Sequence, residues 1–165
     1  MTSEEIIKQL ELKPHPEGGF YKEIYRSENF IEPTCLHNKF KGKRRFSTSI
    51  YYLLREGDFS AFHRITSDEL WHHYAGGDIT LHLLDQQKGY QTKILGNEIT
   101  GNGSYQVIIP ANVWFAAELS TQNSFSLAGC TVSPGFDFDD FELADKDQLL
   151  QQFPQYANVI SRFFK

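Results

Sequence analysis

The sequence contains no apolar run approaching the ~18 residues that a membrane-crossing helix needs. It has only two cysteines, Cys35 and Cys130, and no Cys-x-x-Cys pair. Two thiols are too few for a disulfide framework, and this arrangement makes no dithiol or zinc motif. Cys130, in "SLAGCTV", reads as a small buried filler. Positive charge is also in deficit: 16 Lys and Arg against 21 Asp and Glu give a formal net charge of -5. A nucleic-acid binder needs a basic face, so that class is set aside. The one basic cluster, Lys39, Lys41, Lys43, Arg44 and Arg45, reads as a solvated loop, with an anion-gripping patch as the alternative. The opening "MTSEEIIKQL" lacks both the basic lead and the apolar core of a secretory signal. No membrane partner and a cytoplasmic location are expected.

What is present suits one folded domain over residues 1–165. Apolar residues make up 40% of the chain and aromatics 15%, enough to fill a real core. Thr2 and Glu5 stand at capping-box spacing ahead of Ile6, Ile7 and Leu10, which predicts a short N-terminal helix. "PHPEGG" then breaks it. From there the period changes to two. "FYKEIYRS", "STSIYYLL", "FSAFHRI", "DITLHLLD", "YQTKIL", "YQVIIP", "VWFAAEL" and "SFSLAGCTV" read as strands, separated by turns such as "REGD", "QQKG", "GNGS" and "STQN". Many short strands at this spacing predict a mainly β sandwich or barrel. The tail reads as an acidic segment followed by two short helices parted before Pro154. Phe136, Phe138 and Phe141 within that segment read as cover for a core edge.

The stretch "GDFSAFHRITSDELWHHYAG" carries the chemistry. Alternation puts Ala61, His63 and Ile65 on one face of a strand. Glu69 opens the next strand and shares a face with Trp71 and His73. His63 and Glu69 are therefore expected to meet across neighbouring strands on one side of a sheet. A buried histidine and carboxylate are costly without a partner or a purpose. His72 points to the other face, and His82 is expected on the outside of its strand.

The spacing Gly57-x5-His63-x-Ile65-x3-Glu69-x6-Gly76 resembles the first cupin motif, with Ile65 where that motif has a second histidine. "GNGSYQVIIPANVWFAA" echoes the second motif, keeping Pro110 but placing Phe115 at its histidine. Nearly the whole chain resembles the DUF985 family of cupins, through "LKPHPEGGFYKEIYRS", "STSIYYLL", "FHRITSDELWHHYAG", "VIIPANVWFAA" and "LAGCTVSPGFDFDDFELAD". The resemblance implies a double-stranded β-helix (the cupin jelly roll) with short terminal α-helices, often dimeric, with a pocket inside the barrel. Metal-binding cupins use three histidines and one glutamate. This chain keeps His63 and Glu69 and lacks the other two. His73 lies about 13 Å along the strand from Glu69, too far to share an ion with it. No metal and no other cofactor are expected.

Several functions fit these residues. The first is a metal-independent isomerase or epimerase. His63 serves as base or acid, Glu69 orients it or carries the second proton, and Tyr51 acts as acid, with Tyr52 and Tyr74 as alternatives. Arg64 or Arg26 holds an anionic substrate, and Ser49, Trp71, His73 and Phe115 complete the candidate ligand contacts. The second is a non-catalytic module that binds a small sugar-like or anionic molecule. The third is a metallo-cupin with an incomplete ligand set. In the fourth, His63 and Glu69 only satisfy one another in a polar core. A homodimer is expected, because a sheet edge near "GGFYKEIYRS" needs covering.

Overall fold

The computed structural model describes residues 1–37, 39–97, 103–120 and 125–164. Helix α1 (Ser3–Leu10) begins where the capping box predicts. The Thr2 side chain accepts from the Glu5 N–H at 3.2 Å, and the Glu5 carboxylate accepts from the Thr2 N–H at 2.8 Å. Its apolar side brings Ile6 against Leu53, with Leu12 just beyond the helix end.

The strands follow in chain order: β1 (Lys13–Pro14), β2 (Phe20–Arg26), β3 (Phe30–Ile31), β4 (Arg44–Arg45), β5 (Thr48–Arg55), β6 (Phe59–Ile65), β7 (Asp68–Gly76) and β8 (Ile79–Asp85). After these come β9 (Gly89–Leu95), β10 (Gly103–Ser104), β11 (Gln106–Ile109), β12 (Trp114–Leu119), β13 (Phe125–Ser133) and β14 (Phe141–Leu143). Two six-stranded sheets result, ordered β1-β2-β5-β13-β7-β11 and β10-β9-β8-β12-β6-β14. The short β3–β4 hairpin stands apart from them. From β5 to β8 the chain changes sheet at every step, which is how a jelly roll closes its sandwich. This is the double-stranded β-helix the sequence predicts.

Three apolar layers hold it together. Between the sheets lie Tyr52, Leu54, Trp71, Leu81 and Phe115. Outside the first sheet, α1 and Leu12 cover Leu53. Outside the second, α2 (Lys146–Gln152) and α3 (Ala157–Ile160) bring Leu149, Phe153 and Ile160 onto Phe62, Leu84 and Trp114. A strand covered on both faces loses the clean alternation of a half-exposed one. Thus β8 buries four residues in a row, Leu81 to Leu84, while β11 alternates. His82 is on the outer face, as expected, but the C-terminal helices cover it to 4% exposure. No helix among the described residues is long and apolar enough to cross a membrane.

Candidate functional site

The link between β6 and β7 decides the geometry. The sequence expects these two strands side by side. They belong to opposite sheets instead, so "TSD" is an arch across the sandwich rather than a hairpin. His63 and Glu69 consequently face the same interior from opposite walls. They line one cavity of about 300 Å³, at the small end of ligand pockets. The carboxylate that meets His63 is not Glu69 but Glu17, whose Oε2 lies 3.1 Å from His63 Nε2.

Glu17 comes from the "PHPEGG" loop, which the sequence reads only as a break. The loop folds back tightly: His15 N–H donates to the Gly19 carbonyl at 3.0 Å, and Gly18 N–H donates to His15 at 3.0 Å. It then docks on β6, where Ala61 N–H donates to the Glu17 carbonyl at 2.8 Å. Gly18 has a φ of +118°, and a Cβ there would collide with the Phe59 carbonyl. Glycine is what allows the two backbones to come so close. The result is a carboxyl group with 7% exposure. Its Oε1 accepts from Ser60 Oγ at 3.0 Å, and its Oε2 lies 3.4 Å from His15 Nδ1.

The proton positions follow from the partners. A backbone carbonyl only accepts, so His63 Nδ1, 2.8 Å from Ala61 O, carries a hydrogen. A neutral His63 then turns a bare Nε2 toward Glu17. Two lone pairs at 3.1 Å need a proton between them, so the pair shares one. Burial favours the neutral partition, a protonated Glu17 against a neutral imidazole. It pushes Glu17 above the usual carboxylate range and drives His63 down to about 4. Burial likewise lowers His15, against the pull of Glu17. Glu69, only 8% exposed, is pushed up to about 8, first by burial and then by the neighbouring Glu17. Near pH 7 the cavity thus holds a protonated Glu69 and one proton shared by Glu17 and His63.

The walls are aromatic. Phe136, Phe138 and Phe141 stand at the cavity with Tyr21. Their ring centroids are 5.1 to 6.1 Å apart. They were expected to cover a core edge, and they line the cavity instead. The reason lies in the basic cluster. Arg44 is not a solvated loop residue: both it and Asp140 are 4% exposed. Arg44 Nε and Nη2 donate to Asp140 at 2.6 and 2.8 Å, which pins the acidic segment over the opening. Lys43 and Arg45 pack over the Phe30 ring.

The other candidate residues separate by strand parity. Ile50 and Tyr52 face inward on β5, so Ser49 and Tyr51 face the other way. Ser49 meets Thr131 Oγ1 at 3.2 Å, and Tyr51 packs edge-on against Tyr74. Tyr51 is therefore corrected: it lies outside the cavity, while Tyr52 lines it, donating its hydroxyl to Gly18 O at 2.8 Å. Arg64 is on the outer face of β6, bound to Glu142 at 2.7 Å and stacked over Trp114. Trp71 and Phe115 belong to the interior core, and Phe115 lies under His63 with ring centroids 4.1 Å apart. His73 is buried, its Nε2 donating to Gly77 O at 3.2 Å, and is not among the lining residues. Arg26 lines the cavity with Glu23.

A family model described as "Cupin superfamily (DUF985)" matches residues 4–144. A solved protein of Shewanella oneidensis is 38% identical, with a TM-score of 0.89, over 100% of this chain and 98% of that one. A hypothetical protein of Leishmania major is 32% identical, also with a TM-score of 0.89, over 98% of each chain. An uncharacterized protein of Saccharomyces cerevisiae is 27% identical over 88% of this chain and 77% of its own length. The metal of metal-binding cupins does not fit the donors here. Ile65 and Phe115 cannot coordinate, both ring nitrogens of His63 are committed, and no three His, Cys, Asp or Glu side chains among the described residues are set to hold an ion.

Proposed function

This chain belongs to the DUF985 family of the cupin superfamily, and on that premise we propose that its barrel cavity binds a small polar, sugar-like molecule and moves a proton on it. The reaction is isomerisation or epimerisation beside a carbonyl. The observation that carries the reading is the His63–Glu17 pair, 3.1 Å apart, fixed at Nδ1 by Ala61 and buried at a cavity wall. Such a pair is a base with a reserve. As a carbon–hydrogen bond of the substrate breaks, its proton goes to Glu17 while the Glu17 proton passes to His63 Nε2. Glu69, protonated, donates to the carbonyl oxygen and holds the charge that develops there. Return of the proton to the adjacent carbon, as the hydroxyl on the carbon that lost it gives its own proton to Glu69, yields the isomer; protonation of the opposite face by water, with the enol proton returned to Glu69 and the Glu17–His63 pair losing one to solvent, yields the epimer.

The test is deuterium exchange into the α-carbon of cyclohexanone, dihydroxyacetone and pyruvate, followed by proton NMR. The protein is expected to accelerate exchange of at least one of them by 10²-fold or more, the ordinary scale of acid–base catalysis. Glu17→Gln should lose that gain. No acceleration with any of the three would sink the catalytic reading and leave a binding module.

We propose in addition that the chain works as a homodimer. Ile24 and Tyr25 are half-exposed on β2, beside the short edge strand β1, and a partner would cover them. Light scattering at micromolar concentration should give twice the chain mass; a monomer mass would refute the proposal.

A further inference from the structure

The cavity has one feature at odds with an anionic ligand. Arg26 is its only cation among the described residues. That guanidinium is already paired: Nε donates to Glu23 Oε1 at 2.8 Å, and Nη2 donates to the other oxygen of the same carboxylate, two of its five N–H donors. Asp137 adds a second acid to its surroundings. A carboxylate or phosphate entering here would meet a single cation whose charge Glu23 and Asp137 already balance. Burying such an ion without a partner is unfavourable.

A cation fares no better. Glu17 Oε1 accepts from Ser60 and Oε2 shares its proton with His63, and Glu23 is held by Arg26. Glu69 remains. It has no ion-pair partner within 4.0 Å among the described residues and is more than nine-tenths buried, facing the cavity. To receive an ammonium ion it would have to ionise beside Glu17, against the burial that keeps it protonated.

What the cavity offers is donors. Glu69 in its acid form has one hydroxyl to give. Thr48 Oγ1 accepts from Phe136 N–H at 2.9 Å, which leaves its own hydroxyl free to donate. The rings of Phe136, Phe138 and Phe141, with Ile50 and Val132, line the same cavity. Donors together with apolar faces suit an acceptor oxygen on a ring.

We propose that the cavity selects an uncharged, single-ring carbonyl compound, whose carbonyl oxygen accepts from Glu69, and rejects carboxylates, phosphates and ammonium ions of the same size. This rests on the ligand-site reading above and replaces the anionic substrate that the arginines suggested.

The experiment is calorimetric titration of the purified protein with three probes that share one ring: cyclohexanone, cyclohexanecarboxylate and cyclohexylammonium. Cyclohexanone is expected to bind at least tenfold more tightly than either ion. Equal or tighter binding of the carboxylate or the ammonium ion overturns the proposal, and so does failure of all three to bind. Glu69→Gln keeps a donor at the same place and should keep cyclohexanone binding. Glu69→Leu removes it and should weaken binding tenfold or more. If Glu69→Gln loses as much as Glu69→Leu, the carboxylate rather than the acid was the contact, and the proposal fails. Cyclohexanone that binds without exchanging its α-protons would support the ligand class and sink the proton-transfer reaction. An anion that binds best and does exchange would do the reverse.

Discussion

Two histidine–glutamate pairs in this chain have the same 3.1 Å separation and different surroundings. His63 and Glu17 face a cavity between the sheets with no cation beside them. His82 and Glu118 lie outside the second sheet, beneath the C-terminal segment. There Arg162 donates to the same Glu118 oxygen, and His82 Nδ1 meets Tyr90 Oη at 2.7 Å. Phe163 packs on the His82 ring at 4.8 Å. Glu118 is 29% exposed, so water as well as Arg162 reaches its carboxylate. The outer pair is a closed network that ties the chain end to the sheet. The inner pair has one shared proton, no compensating charge and a space beside it. The same two residue types are scaffold in one place and candidate chemistry in the other, and the surroundings make the difference.

The sharpest way to break this comparison is to make the same change in both pairs. His63→Asn keeps one hydrogen bond but cannot exchange a proton near neutral pH. It should cut α-proton exchange by 10²-fold or more. His82→Asn should leave exchange unchanged and lower stability by about 1–3 kcal/mol, the range for a broken buried hydrogen bond. Exchange rates and denaturant melts on both variants check this. Equal losses of exchange would erase the distinction, as would a His63→Asn protein that melts early yet exchanges normally.

A smaller effect sharpens the inner site. Glu69 is raised from 4.5 to about 8, so between those values the folded state holds a proton that the unfolded chain has released. Stability from this group is full below the unfolded pKa and is lost as pH rises toward 8. His63 has the opposite sign. Its folded value of about 4 lies below 6.5, so its contribution is lost as pH falls from 6.5 toward 4. The two slopes oppose each other between 4.5 and 6.5, and Glu17, also raised by burial, acts in the same direction as Glu69. From pH 6.5 to 8 Glu69 should account for a loss of up to about 2 kcal/mol. Glu69→Gln should flatten that decline. Parallel curves for the two proteins would show that Glu69 is already ionised in the folded state.

Much of the fold was legible in the chain. The capping box of Thr2 and Glu5, the strand run from Phe20 to Val132 and the jelly roll itself follow from local period, turn chemistry and the cupin spacing around His63 and Glu69. Strand parity was harder to use. Alternation says which residues share a face, but not which face looks into the barrel. Tyr51 and Tyr52 are equally plausible until Tyr52 is seen bonded to Gly18. Glu17 was missed altogether. A histidine and a glutamate set among prolines and glycines have no period, and a breaker loop reads as solvent-facing. The paired glycines were the one available signal, because they permit close backbone approach. Phe136, Phe138 and Phe141 were misjudged for a related reason: their position depends on Arg44 and Asp140, 96 residues apart in the chain.

The sequence by itself determined the β-rich class, the family and the presence of His63 and Glu69 at the cupin spacing. It also lacks two of the donors that metal-binding cupins use, because Ile65 and Phe115 are apolar whatever the fold does. These are local properties: side-chain chemistry, period two and short spacing. Only the tertiary structure decided who meets whom. An arch rather than a hairpin put His63 and Glu69 on opposite walls. A docked loop brought Glu17 to His63, and a buried ion pair closed the aromatic side. Each of these is a contact between segments distant in the chain, set by how two sheets and their covers pack. A carboxyl group's proton depends on that packing, because burial and neighbouring charge, not residue type, set its affinity.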